Sequence, residues 1–289
     1  MNIFARTMIS LAAPGAAFVA CASTTAEPEP AGVKQVRFMN AGDTIAGEIH
    51  FPASRAHVPG VVLVHGSGPV TRDGNSPLIE PFLSQGIAVL VYDKRGTGQS
   101  GGLYRGVGPV NSDSMIRLLA GDAVSALRRL AADPRIDSTQ LGLAGGSQAG
   151  WIIPNAASRY PVRFAVILSG PLVSVGEEVH YSRSFEQTTL PLDKTDSVMA
   201  LFDGVRGYDP TGDLRHVVGS VYWAHGAQDR SIPATRSAAI ARTLIGIYRR
   251  PDWRDTLLAT GDHNLFDATT HQPLDVFPAM QQWLAERLR

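Results

Sequence analysis

The sequence predicts an α/β fold: a mostly parallel central sheet with helices on both faces, an N-terminal antiparallel hairpin and one helical insertion. Three observations carry that expectation. Short, almost wholly apolar runs recur along the chain, as strands buried on both faces require. Amphipathic stretches with helical spacing lie between them. One segment, about 173–219, is more polar and holds no buried-strand run.

Residues 1–26 stand apart from the fold. Arg6 precedes an apolar stretch from Met8 to Ala20 that ends among small residues, the pattern of an export signal. At thirteen residues it is short for a bilayer span. Cys21, the only cysteine, excludes an internal disulfide. Phe18-Val19-Ala20-Cys21 resembles a bacterial lipobox, although Phe18 stands where leucine is usual; cleavage before Cys21 with lipidation there and ordinary cleavage after Ala22 or Ala26 are both open. The expected location is therefore the periplasm or cell envelope, with a membrane partner only through a lipid anchor at Cys21. Residues 27–32, rich in proline and glutamate, are expected to be a disordered start to a domain spanning 33–289.

The domain opens with alternating runs, Val36 to Asn40 and Thr44 to Phe51, split by Ala41-Gly42-Asp43, which reads as a hairpin at a sheet edge. Buried strands are expected at Gly60–Val64, Ile87–Tyr92, Leu141–Ala144, Phe164–Leu168, Val221–Ala224 and Thr256–Ala259. Helices are expected at Ser114–Ala132, where Ile116, Leu119, Ala123, Ala126, Leu127 and Leu130 share a face, and at Asp275–Leu288. The insertion at 173–219 reads as a lid. Acidic and basic residues balance at 26 each, so no net field favours nucleic acid, an anionic surface or a strongly charged substrate. A small neutral ligand suits that balance.

Chemistry concentrates where strands end, which is where open α/β sheets bind ligands. In Gly145-Gly146-Ser147-Gln148-Ala149-Gly150 a strand runs into a serine and then a helix. Residues two before and two after a serine in such a turn approach closely, so Gly145 and Ala149 must be small; Ala149 departs from the final glycine of G-x-S-x-G. Ser147 is the expected nucleophile, and the Gln148 amide faces a developing oxyanion. His65-Gly66-Ser67-Gly68 follows another strand, and the Ser67 amide is the expected second donor, with His65 ordering the loop.

A neutral serine needs a base and an orienting carboxylate, in the chain order serine, acid, histidine. Asp229, after the strand at 221–224, and His263, in the loop after the strand at 256–259, supply them. Asp93 and Asp262 compete as acids, and His225, His271 and His50 as bases. Gly96-x-Gly98-x-x-Gly101 matches a dinucleotide fingerprint after a strand, but more glycine and a proline prolong the loop instead of a helix, so no cofactor is expected. No histidine pair has metal-ligand spacing, so no metal is expected either.

Together His65-Gly66-Ser67-Gly68, Asp93-Lys94-Arg95-Gly96-Thr97-Gly98-Gln99-Ser100, Gly145 to Gly150, Gly226-Ala227-Gln228-Asp229 and Gly261-Asp262-His263 resemble the α/β-hydrolase superfamily over nearly everything after residue 33. The chain looks most like the esterase and acyl-hydrolase branch related to dienelactone hydrolases, bile-acid acyltransferase-like proteins and serine aminopeptidases. That resemblance implies a cofactor-free hydrolase of ester, thioester or amide bonds acting through Ser147, Asp229 and His263. Small carboxylic esters are the expected substrates. A peptidase on short peptides is the alternative, with Glu177, Glu178 or Glu186 to hold a free amino group, and a non-catalytic binding protein is the reading from another class. The residues carry no signal for acyl-chain length, leaving group or oligomeric state.

Overall fold

The computed structural model describes residues 31–53, 57–186 and 188–288, apart from the side chain of Ser76. The expected signal at 1–26, Cys21 and most of the start at 27–32 lie outside the described residues.

Strands β1 (Gly32–Asn40) and β2 (Asp43–Phe51) form the expected hairpin. Ala41 and Gly42, at φ 51° and 84°, give the turn whose two positive φ values match strand twist. The boundary at residue 33 needs a correction of one residue. Gly32 is already paired with Phe51, because β2 extends far enough to offer it a hydrogen-bonding partner.

The chain continues through β3 (Val58–Val64), α1 (Ile79–Leu83), β4 (Ala88–Tyr92), α2 (Ser112–Ala131), β5 (Ile136–Gly146), α3 (Ala149–Arg159) and β6 (Phe164–Leu168). Helices α4 (Val175–Phe185), α5 (Thr195–Ala200) and α6 (Thr211–Leu214) follow, then β7 (Ser220–Gly226), α7 (Ala234–Tyr248), β8 (Arg254–Leu258) and α8 (Phe277–Arg287). The sheet order is β1-β2-β4-β3-β5-β6-β7-β8. The hairpin pairs antiparallel with β4 through β2, and all later neighbours are parallel.

Both faces of the sheet are covered, and β3 shows why its sequence is apolar throughout. Val62 and Val64 pack with Ile116 and Leu127 of α2, while Val61 and Leu63 join Phe82 of α1 and Trp283 and Leu284 of α8 on the other side. Alternate residues point to opposite faces, and each meets a helix. Truncating a side chain such as Leu127, fully buried, would cost about 2–5 kcal/mol. The last strand is read less well from its sequence: it runs over 254–258 and is only half-buried because β8 is the sheet edge.

Between β6 and β7 the expected helical insertion is present, with no strand among its described residues. Ser174 caps α4: its hydroxyl accepts from the Glu177 N–H, and the Glu177 carboxylate accepts from the Ser174 N–H. The segment looks polar because its apolar face is carried by few residues, with Tyr181, Phe185 and Met199 forming a small core of their own.

Candidate active site

Strand β5 ends at Gly146 and α3 begins at Ala149, so Ser147 occupies the turn between them at φ 56°. A positive φ is uncommon for serine and marks a backbone held in place by its surroundings. The Ser147 N–H donates to the Leu168 carbonyl of β6 at 3.0 Å. A Cβ on Gly145 would strike the Val64 carbonyl and lie 2.8 Å from Ala149 Cβ. The close approach expected of those two positions is therefore real, and alanine fits at the second.

Asp229 and His263 arrive from the neighbouring strand ends. After β7, Asp229 turns back so that its Oδ1 accepts from the N–H groups of Ser231 at 2.7 Å and Ile232 at 2.9 Å. Its Oδ2 lies 2.8 Å from Nδ1 of His263, in the loop after β8. Gly226 and Gly261 let these loops touch: a Cβ on Gly226 would collide with the carbonyls of Gly261 and Asp262. The Asp229 carboxylate is fully buried, whereas the His263 ring is a quarter exposed. Burial opposes the imidazolium, but the hydrogen bond and charge of Asp229, joined by the charges of Glu178 and Glu186, outweigh it and raise His263 above its ordinary pKa. His263 and Ser147 line one cavity of about 250 Å³, together with Gly66.

The loop after β3 reaches the same cavity through Gly66. His65 is buried and donates from Nε2 to the Tyr92 carbonyl at 2.6 Å; burial, reinforced by the Lys94 charge, brings its pKa down to about 3, so the ring is neutral. Its expected role in ordering the loop agrees with this geometry. Lys94 completes the arrangement. Its Nζ donates to the carbonyls of Gly66 at 2.7 Å and Gly68 at 3.0 Å and to Oε1 of Gln148 at 3.0 Å, and it sits 3.8 Å from the Tyr104 ring centroid. Because a trans peptide sets N–H opposite C=O, drawing the Gly66 carbonyl onto Lys94 turns the Ser67 N–H the other way. Among the described residues no backbone acceptor takes the N–H of Ser67 or of Gln148. Burial brings Lys94 down to about 7.

The competing acids and bases are engaged elsewhere. Asp93 accepts from Arg72 three times and from the Gln99 N–H; these bonds overcome burial and hold its pKa at about 2. Gly98 lies against this carboxylate, Gly96 against the backbone of Gly102 to Tyr104, and the chain continues as loop up to α2. Asp262 closes its own turn onto the N–H groups of Asn264 and Phe266. His50 pairs with Glu48 on the hairpin, His271 is exposed, and both ring nitrogens of His225 are occupied.

The insertion is fastened to the acid loop. Tyr181 donates to the Asp229 carbonyl at 2.8 Å, Ser231 donates to Glu186, and Arg230 grips the carbonyls of Phe185, Thr188 and Leu190. Of the three glutamates proposed from sequence, Glu177 is consumed by its cap and by Arg206. Glu178 stands near Asp229, His263 and Glu186, and burial aided by the two neighbouring carboxylates pushes it up to about 8. Lys94, Asn75 and Ser169 carry no signal as single residues in the sequence; Asn75 and Ser169 line the cavity itself.

Residues 56–196 match the model of a family described as serine aminopeptidase, S33. Solved structures share the fold at low identity. An esterase from Pyrococcus furiosus is 18% identical with a TM-score of 0.66, covering 90% of this chain and 92% of its own. Acetyl xylan esterase 1 from Thermoanaerobacterium is 18% identical with a TM-score of 0.63, covering 90% and 84%. An acylaminoacyl peptidase from Pyrococcus horikoshii is 14% identical at 0.62, covering 90% of this chain but 42% of that one. A search of curated proteins finds no match.

Proposed function

From the premise that the chain belongs to the α/β-hydrolase superfamily, we propose that it is a serine hydrolase cleaving carboxylic esters of small substrates through an acyl-enzyme on Ser147. The observation that carries this reading is the Asp229–His263 pair opening onto the same cavity as a serine held at positive φ. His263 Nε2 takes the Ser147 proton as Oγ attacks the ester carbonyl, and Asp229 keeps Nδ1 protonated and stabilises the imidazolium. The amides of Gln148 and Ser67 receive the oxyanion, with Lys94 holding the residues that present them. His263 gives its proton to the departing alkoxide. Water, deprotonated by His263, then attacks the acyl carbon, the Ser147 ester bond breaks, and the proton returns to Oγ. Ser147, Asp229, His263, Ser67 and Gln148 are the residues assigned to the reaction, which calls on no cofactor or metal.

Two structural relatives are esterases by name, which supports the choice of ester. Fluorophosphonate labelling tests the mechanism: the wild type should label, and Ser147→Ala should lose both labelling and ester turnover, by about 10⁶-fold in kcat. Absence of labelling in folded wild type would overturn the reading.

A second reading, cleavage of short peptides bearing a free amino group, is favoured by one observation. Glu178 has no hydrogen-bonding partner among the described residues, lies beside His263, and belongs to the segment matching an aminopeptidase family. Faster turnover of aminoacyl p-nitroanilides than of p-nitrophenyl esters would select it. The proposal extends to a location in the periplasm or cell envelope, supported by the signal-like apolar stretch from Met8 to Ala20 behind Arg6. Palmitate labelling lost in Cys21→Ser is the expected result if it is lipid-anchored.

A further inference from the structure

Two polar groups in the cavity have no part in the acyl-transfer machinery. Asn75, in the 3-10 turn over 72–78 after β3, is 8% exposed, and Ser169, immediately after β6, is 3% exposed. Among the described residues neither Asn75 Nδ2 nor Ser169 Oγ has a hydrogen-bonding partner. Both residues line the cavity that holds Ser147 and His263. Ser169 stands next to the nucleophile in the sheet, since Gly146 of β5 is in register with Leu168 of β6.

A buried donor without an acceptor is costly, and native interiors hold few of them. Here the cost is concentrated twice in one small chamber. Ser169 also carries a positive φ of 47°, so its side chain is presented at a backbone position that serine rarely takes. Unsatisfied groups and local strain gathered at a ligand cavity are the pattern expected when the ligand supplies the missing partner. Leu78, Leu168 and Leu265 also line the cavity, so an oxygen atom seated against them and away from Ser147, His263 and Asn264 would find its hydrogen bonds at the two polar groups.

Resting on the ester-hydrolase reading, we propose that Asn75 and Ser169 form a polar subsite for a hydrogen-bond-accepting oxygen of the substrate, additional to the scissile ester. The subsite takes a hydroxyl, ether or keto oxygen a few bonds from the reacting carbonyl. The preferred substrates are accordingly short oxygen-bearing esters, and plain alkyl esters of the same shape leave the two donors unpaired. Discrimination of this kind is strong because the penalty falls on the site as well as on the analogue.

Two pairs of near-isosteric esters locate the oxygen. 4-Nitrophenyl methoxyacetate against 4-nitrophenyl butyrate probes the acyl side, and 2-methoxyethyl acetate against butyl acetate probes the alcohol side. The quantity read is the ratio of kcat/KM within each pair, compared between wild type and variant, which cancels intrinsic ester reactivity. In one pair, Asn75→Leu and Ser169→Ala should each lower the ratio by about tenfold. Where the leucine variant fails to fold, Asn75→Asp, which keeps the volume but replaces donors by acceptors, takes its place and should lower the ratio at least as much. Ratios unchanged in both pairs overturn the subsite. So does an equal fall for all four esters, which would make Asn75 a donor to the oxyanion instead. Fluorophosphonate labelling of the same preparations separates the two claims: labelled enzyme with unchanged ratios removes the subsite alone, whereas unlabelled wild type removes the hydrolase reading and the subsite with it.

Discussion

Two histidine–aspartate pairs lie at adjacent strand ends, and they differ in what surrounds the second ring nitrogen. His225 in β7 faces Asp255 of β8 through Nδ1 at 3.1 Å, and its Nε2 faces the Gly170 carbonyl at 3.1 Å. Both side chains are sealed from solvent, and Arg242 donates to the second Asp255 oxygen at 3.0 Å. His263 makes the same kind of contact with Asp229, but its ring is a quarter exposed and opens into the cavity of Ser147. A carboxylate behind an imidazole thus does not by itself single out the proposed base. What distinguishes His263 is that its ring lines the cavity that Ser147 also lines, and among the described residues no hydrogen bond occupies its Nε2.

Substitutions at the two pairs should separate these roles. Asp229→Asn should lower kcat about 10⁴-fold with the fold intact, because the amide favours the wrong imidazole tautomer. Ester kinetics beside circular dichroism checks it, and a loss below tenfold would move the orienting role to another carboxylate. His225→Leu should do the reverse, destabilising the domain by about 2–3 kcal/mol through the unpaired Asp255 oxygen and Gly170 carbonyl while the folded enzyme keeps its kcat. Urea denaturation reads the first quantity. A large kcat loss without destabilisation would make the sealed pair part of the chemistry.

A third prediction, read through its pH dependence, concerns Glu178, which borders only the open pair. Its folded pKa is raised to about 8 from 4.5, so the unfolded chain releases this proton first as pH rises. Stability is then lost between about pH 4.5 and pH 8 on account of this group. Glu178→Gln should abolish that contribution, so the denaturation midpoint of the variant should gain on wild type as pH rises from 5 to 9. A constant difference would mean that the carboxyl is not held uncharged.

Much of this arrangement was legible in the residues. Phe164–Leu168 is the strand its sequence predicts to the residue, since a run buried on both faces has no reason to be polar. β8 was displaced by two residues at its start because an edge strand buries only one side of its neighbours. The helix α7 escaped a simple reading: Ala238, Ala241 and Leu244 form its buried face, but Ile240, Ile245 and Ile247 blur the period. Ser147, Asp229 and His263 could be named from their strand ends and chain order. Lys94 could not, because its acceptors lie 26 to 54 residues away and none is marked by its neighbours in sequence.

The sequence by itself determined the α/β fold, the turn at Ser147 and the three residue types assigned to acyl transfer. Those properties follow from periodicity and from steric demands within a few residues. Tertiary structure alone decided which histidine, among the described residues, has both ring nitrogens engaged, which glutamate is consumed by a helix cap, and that Asn75 and Ser169 line the cavity of Ser147. The physical reason is that burial and hydrogen-bond satisfaction are properties of surroundings assembled from distant segments. His225 and His263 are the same residue type, each following an apolar run, and only the contacts made by Gly170 and the cavity tell them apart.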